Sequence, residues 1–91
     1  MFKKEIKRGA KLLDVARPGW DKNINLEILD MGDSEFCILG QLYGDFDIGA
    51  ASFHIDSHMS DEDVDFGFNS YHFRWLLTRE WVALIKERLA A

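Results

Sequence analysis

The chain has little cysteine and little proline, with one of each among its 91 residues. Cys37 cannot form an internal disulfide, and no cysteine–histidine spacing typical of a zinc site surrounds it. A lone cysteine suits a reducing compartment. The lone cysteine excludes small folds that are held together by disulfides or by a zinc ion, so the fold must depend on its hydrophobic core.

Long apolar runs are also lacking. No window approaches the roughly 20 apolar residues that a membrane-spanning helix needs. The basic first residues are not followed by the apolar stretch of a secretory signal. We therefore expect a cytoplasmic protein without membrane contact.

What the chain does have is apolar and aromatic content. Hydrophobic residues make up 47% of the sequence and aromatic residues 13%, which is well above the content of a disordered chain. Two separate cores would each be too small at this length to offset chain entropy. The prediction is one globular domain over residues 1–91.

The charges are unevenly distributed along the chain. Residues 1–17 carry a net charge of +4, residues 18–73 carry −11, and residues 74–91 carry +2, giving −5 in total. Such asymmetry bears on partners more than on fold. Two interpretations stay open: the basic ends neutralise the acidic middle internally, or a charged face is presented to a partner.

Apolar spacing predicts a mainly α, small single-domain helical fold. Helices are expected at residues 2–16, 35–43 and 70–89, capped in the last two cases by Asp33 or Ser34 and by Ser70. In the first helix the lysines and Arg8 fall on the arc opposite Phe2, Ile6 and Leu13. In the last helix a wide apolar face, broadened by Trp75, predicts burial on more than one side.

The segments between these helices are less regular. Pro18 and Gly19 should end the first helix, with Trp20 folding back onto it. Residues 24–29 are expected to be extended, with Ile24, Leu26 and Ile28 alternating like a strand and Leu29 breaking the pattern. A short two-stranded element formed by residues 24–28 and 64–69 is an open alternative that would make the fold α+β. Residues 45–49 read as a turn, residues 50–55 as a short helix or strand, and residues 56–65 as a solvated acidic loop.

Several motifs together resemble a family of small, uncharacterised proteins of bacteriophages and prophages. The resemblance covers nearly the whole chain, and its most specific block runs from Cys37 to Gly44. The motifs that carry it are Arg17-Pro18-Gly19-Trp20, Leu29-Asp30-Met31, Cys37-x-Leu39-Gly40-Gln41-Leu42-Tyr43-Gly44 and Leu77-Thr78-x-x-Trp81. The resemblance implies a viral accessory protein and brings no catalytic residues with it.

This chain departs from the family pattern at one position. Family members often carry a second cysteine three residues before the position of Cys37, where this sequence has Ser34. A Cys-x-x-Cys metal or redox site is therefore not expected here. Cys37 itself is expected in the core, because free cysteines in apolar helices are usually small packing residues.

Other reactive side chains form no recognised catalytic or metal motif. His54, Asp56 and His58 would share one face only if their segment were extended, and their spacing matches no established zinc site. Residues 61–65 lack the glycine and the final glutamate of a calcium loop. We expect no enzyme activity, no cofactor and no bound metal.

The glycines and the amide of the Gly40–Gly44 block have a packing interpretation. Gly40 would stand where a neighbour leaves no room, and Gln41 would be hydrogen-bonded to backbone because a buried amide must be satisfied. A partner-facing groove is the alternative.

The leading functional hypothesis is a non-enzymatic accessory protein that binds and inhibits a host or defence protein with a basic surface. Complementary charge would speed the association and select the partner. The alternative is a nucleic-acid-associated protein that uses the basic face of helix 2–16. The predicted partner-binding residues are Asp45, Asp47, Asp56, Asp61, Glu62, Asp63 and Asp65.

Overall fold

The computed structural model describes residues 2–54, 62–70 and 73–91. Throughout these ranges the chain forms helices and turns without a strand, so the mainly α prediction is confirmed. A 3-10 turn also covers Trp20–Asn23. The α-helices are α1 (Lys3–Ala16), α2 (Ile38–Tyr43), α3 (Phe46–Ser52), α4 (Glu62–Asp65) and α5 (Arg74–Ala90).

Two tryptophans lie at the centre of the core. The ring of Trp20, just after α1, meets the ring of Trp81 in α5 edge to face, with centroids 5.8 Å apart. Phe68 stacks on Trp81 with ring centroids 6.1 Å apart. The Trp81 Nε1–H donates a 2.7 Å hydrogen bond to the carbonyl of Gly67, so the buried indole is satisfied.

The apolar faces predicted from sequence spacing supply the core. Ile6, Ala10 and Leu13 are buried along α1. Five positions expected in the core are fully buried, which confirms them: Trp20, Leu39, Leu77, Trp81 and Ile85.

Glycine lets α1 approach the segment that follows α4. A Cβ atom at Gly9 would collide with the carbonyl oxygen of Phe66. Gly67 has a left-handed φ of +71°, and a Cβ there would lie 2.8 Å from the backbone nitrogen of Ile6. Close contact between the two backbones thus depends on glycine at both positions.

The strand predicted over residues 24–29 does not form, and neither does its pairing with residues 64–69. Residues 26–28 form a turn. The helix α4 occupies residues 62–65, where the sequence predicted the end of the acidic loop and, as an alternative, the start of the second strand. The Asn25 side chain accepts a hydrogen bond from the Glu27 backbone at 3.0 Å, which bends the chain locally. Ile28, expected on the buried side, is 47% exposed.

One helix start and one turn also differ from expectation. The helix predicted from residue 35 begins at Ile38, because the Asp33 side chain instead accepts from the backbone of Glu35 and Phe36 and stabilises a separate turn. It ends at Gly44, as predicted. Residues 45–49 are not a turn: Asp45 caps α3, which starts one residue later. The helical alternative for residues 50–55 is confirmed as far as Ser52.

The last helix is narrower on its apolar side than predicted. It begins at Arg74 rather than after Ser70, which is buried. Trp75 is 64% exposed, so burial on several sides is wrong for this helix. At 3.6 residues per turn Trp75 lies almost opposite Leu77, whose face meets the core.

The two tryptophan environments give a matched stability test. Trp81→Ala should lower the free energy of unfolding by about 3–5 kcal/mol, because it removes a fully buried ring. Trp75→Ala should change it by less than about 0.5 kcal/mol, since that ring is mostly solvated. Urea unfolding followed by circular dichroism measures both. Equal losses would contradict the assignment of α5's buried face.

Candidate functional site

The predicted acidic surface is described in part. Asp47 in α3 and Asp65 at the end of α4 are exposed, and Asp45 is half-buried. Asp56 and Asp61 lie outside the described residues. For Glu62 and Asp63 the helical backbone is described, and their side chains are not.

The acids that are described lie on two different elements. Asp45 and Asp47 are joined at the start of α3, where the Asp45 side chain accepts a 2.8 Å hydrogen bond from the Asp47 backbone. Asp65 belongs to α4, which contacts α1. Asp45 therefore has a local capping role that its sequence context did not predict, while Asp47 and Asp65 are directed to solvent and form no ion pair with a described residue.

The basic surface predicted on α1 lies wholly within the described residues. Every cation predicted for the outer arc of α1 is exposed. None of them forms an ion pair with a carboxylate of the described residues. We call this set the α1 basic face: Lys3, Lys4, Lys7, Arg8 and Lys11.

The two carboxylates of α1 itself do not neutralise that face. Glu5 is half-buried, and its Oε2 is shielded from solvent without a hydrogen-bond partner among the described residues. Asp14 is held by Arg88 of α5 through an ion pair and by the Trp20 Nε1–H at 2.9 Å. The Asp14–Arg88 pair joins the two basic ends of the chain. Neutralisation of the acidic middle by a basic end, one of the two interpretations of the charge pattern, operates at Asp21, which also pairs with Arg88, and not at the α1 basic face.

Arg88 is the centre of this ion-pair network. Its Nε also contacts Asp21 at 3.1 Å, and its guanidinium lies 5.3 Å above the ring of Trp20. Burial alone would raise the pKa of Asp14, but the hydrogen bonds from Arg88 and Trp20 and the charge of Arg88 outweigh it, so the pKa is lowered. The hydrogen bond to Asp14, opposed in part by burial, raises the pKa of Arg88.

Cys37 occupies the core position expected of it. Its side chain is 2% exposed, and its Sγ accepts a 3.2 Å hydrogen bond from the backbone of Gly40 as the N-cap of α2. Burial raises the pKa of this thiol, outweighing the backbone hydrogen bonds that lower it. A protonated, buried thiol is a poor nucleophile, because the thiolate is the reactive form.

The glycine and glutamine of the Gly40–Gly44 block have the packing roles expected for them. A Cβ atom at Gly40 would collide with the carbonyl oxygen of Ser34. The Gln41 side chain accepts from the Asn25 backbone at 2.7 Å and donates to the carbonyls of Asn25 and Phe36. Gln41 thus holds residues 25 and 36 against α2 instead of facing a partner.

Of the three potential metal ligands His54, Asp56 and His58, only His54 lies within the described residues. His54 is exposed with a left-handed φ of 59°, whereas Asp56 and His58 lie outside the described residues. Among the residues that are described, no three His, Cys, Asp or Glu side chains come together as a metal site would require. Within the same residues, no helix is long and apolar enough to cross a membrane.

Depressions of the surface are lined by described residues in two places. One of about 160 Å³ lies beside Cys37 and Arg74, and a groove of about 260 Å³ lies between α1 and α5. Both are smaller than the roughly 300–1,000 Å³ of typical small-molecule sites. The groove has an apolar floor and rims of opposite charge, with these lining residues: Lys3, Ile6, Lys7, Glu80, Ala83, Leu84 and Glu87.

Comparison with known proteins assigns this chain to no family. The chain matches no family model, and neither a curated protein nor a solved structure is detectably similar to it. The resemblance to phage proteins accordingly stays a prediction from motifs. Surface charge therefore defines the candidate functional surface, with the α1 basic face and the exposed acids as its two parts.

The Asp14 network predicts a specific pH dependence. Because the pKa of Asp14 is lowered on folding, its stabilising effect is present above the unfolded value of about 3.9 and disappears as the pH falls through the folded value. Asp14→Asn should cost about 0.5–1 kcal/mol near pH 7, since the pair is partly exposed, and progressively less as the pH falls below about 3.9 and through the folded value.

Thermal unfolding of both proteins across that pH range measures the difference. Glu27→Gln is the matched control, because Glu27 is exposed and has no ion pair with a described residue. A difference for Asp14→Asn that stayed constant with pH would contradict a role for the ionised carboxylate.

Proposed function

We propose that this chain is a non-enzymatic, phage-type accessory protein that binds a host or defence protein and inhibits it. Its acidic residues meet a lysine- and arginine-rich surface of that partner in the host cytoplasm. The observation that carries the proposal is that Asp47 and Asp65 are exposed and form no ion pair with a described residue.

The distribution of charge supports an acidic contact surface. Residues 18–73 carry a net charge of −11. Among the acids of that segment, only Asp21 takes part in an ion pair between described residues. Lysine- and arginine-rich surfaces are typical of proteins that handle nucleic acids. An acidic surface that mimics the charge of a phosphate backbone is therefore one route to inhibition of such a partner. Complementary potentials raise the association rate and suppress wrong partners more than they raise affinity.

The chemistry available to Cys37 also favours binding over catalysis. Its thiol is buried, and burial raises its pKa, so the one cysteine of the chain is a poor nucleophile. The two surface depressions described are small, so contact with a partner would take place on open surface.

The test compares two charge-neutralising variants with equal net charge. Asp47→Asn/Asp65→Asn should slow association with a captured host protein several-fold, because two negative charges are removed from the proposed surface. Glu27→Gln/Glu35→Gln removes the same charge from exposed acids outside the predicted surface and should leave the rate unchanged. Surface plasmon resonance measures the rates, and the partner is first isolated by affinity capture from host cells.

Added salt supplies the second criterion. The difference between the variants should shrink as ionic strength rises, because exposed charges are screened beyond a Debye length of about 8 Å at physiological salt. Equal slowing by both variants, or none by either, would overturn the acidic contact surface.

A further inference from the structure

The α1 basic face is a row of cations that the fold leaves without counter-charge from the described residues. Lys3, Lys7 and Lys11 follow one another at four-residue intervals, and Lys4 and Arg8 form a second row beside them. Like charges at this spacing destabilise a helix by a few tenths of a kcal/mol per pair. That repulsion would be relieved by an anionic partner.

The nearby carboxylates form no ion pair with this face among the described residues. Glu5 turns one carboxylate oxygen into the protein interior, and Asp14 is held by Arg88 and Trp20. Glu80, which lines the groove beside α1, accepts a 2.8 Å hydrogen bond from the Phe2 backbone. Lys4, Arg8 and Lys11 do not line that groove, so they face solvent away from its acidic rim.

We infer that the α1 basic face binds the phosphate backbone of a nucleic acid without reading its sequence. The cations run from Lys3 to Lys11, about 12 Å at 1.5 Å per residue. One strand of a duplex presents a phosphate about every 3.4 Å along the axis, so this row spans three to four nucleotides. Lysines and one arginine suit phosphate contacts, which position a protein and carry no sequence information.

A membrane surface fits this helix less well. Amphipathic helices that bind bilayers insert an apolar face between the headgroups. Here the apolar residues of α1, chiefly Ile6, Ala10 and Leu13, are buried in the core and cannot insert. Apart from the single exposed Val15, the outer side of the helix offers charge alone, which matches a linear array of phosphates.

The net charge of −5 does not prevent local binding. The protein measures 37 × 26 × 22 Å, which is several times the Debye length of about 8 Å at physiological salt. The potential at one face is consequently set by the charges near it. This inference stands apart from the acidic contact surface, since it uses different residues and a different partner.

The experiment uses the full chain and labelled DNA of mixed sequence, both single-stranded and duplex, with fluorescence anisotropy as the readout. If the face neutralises the three to four phosphates that it spans, the slope of log K against log salt for the duplex should be roughly −2.7 to −3.6. Affinity should then fall roughly 40- to 150-fold between about 50 and 200 mM salt. Two unrelated duplex sequences should bind equally.

Two triple variants of identical composition separate the face from the net charge. Lys4→Gln/Arg8→Gln/Lys11→Gln should leave a slope no steeper than roughly −1.8, because only Lys3 and Lys7 of the face remain. Lys22→Gln/Arg79→Gln/Lys86→Gln changes the same residue types at exposed positions elsewhere and should leave the slope unchanged. Circular dichroism confirms that both variants are folded.

Each other outcome overturns the inference. Equal weakening in both triple variants would mean that only net charge matters. No anisotropy change at protein concentrations up to roughly 100 µM, the weak limit of non-specific binding, would mean that the face does not bind nucleic acid. Binding to phosphatidylserine vesicles without binding to DNA would assign the face to a membrane surface.

Discussion

The contact between Trp20 and Trp81 is the interaction on which the rest of this structure depends. It joins the chain just after α1 to the middle of α5, and both rings are fully buried. Phe68 stacks on Trp81, and the Gly67 carbonyl accepts the indole N–H of Trp81, so the segment between α4 and α5 is held by the same ring. In a domain this small, a few large aromatic side chains supply much of the buried apolar area.

The tryptophan pair also determines which charged side chains form ion pairs. Because Trp20 is held in the core, its indole N–H reaches Asp14, and Arg88 lies above its ring while pairing with Asp14 and Asp21. One cation near the end of the chain is thereby neutralised. The buried side of α1 faces inward and its basic face is directed to solvent, so the cationic surface consists of different residues from the exposed acids of α3 and α4.

Sequence patterns predicted the core well because helical periodicity is local information. Leu77, Trp81 and Ile85 recur every four residues and all are buried, as expected. Residues 24–29 were mistaken for a strand because Gln41, far along the chain, holds the Asn25 backbone in a turn. Trp75 was expected in the core because its type is apolar, although its position on α5 faces away from the core.

The candidate site was predictable to a similar extent and for similar reasons. The exposure of the α1 cations follows from the helical spacing of Ile6 and Leu13, which fixes the inner face. The absence of ion pairs at these cations does not follow from helical spacing. It depends on Arg88, 74 residues away along the chain, pairing with Asp14. The capping role of Asp45 was missed because residues 45–49 resembled a turn, in which an aspartate is equally common.

A double-mutant cycle between Trp20 and Trp81 tests the central claim most directly. The free energy of unfolding is measured for Trp20→Leu, for Trp81→Leu and for the double variant. The edge-to-face geometry at 5.8 Å predicts a coupling energy of about 0.5–1.5 kcal/mol, with the double variant less destabilised than the sum of the single changes. Strictly additive losses would show that the two rings do not stabilise each other and would contradict a core organised around their contact.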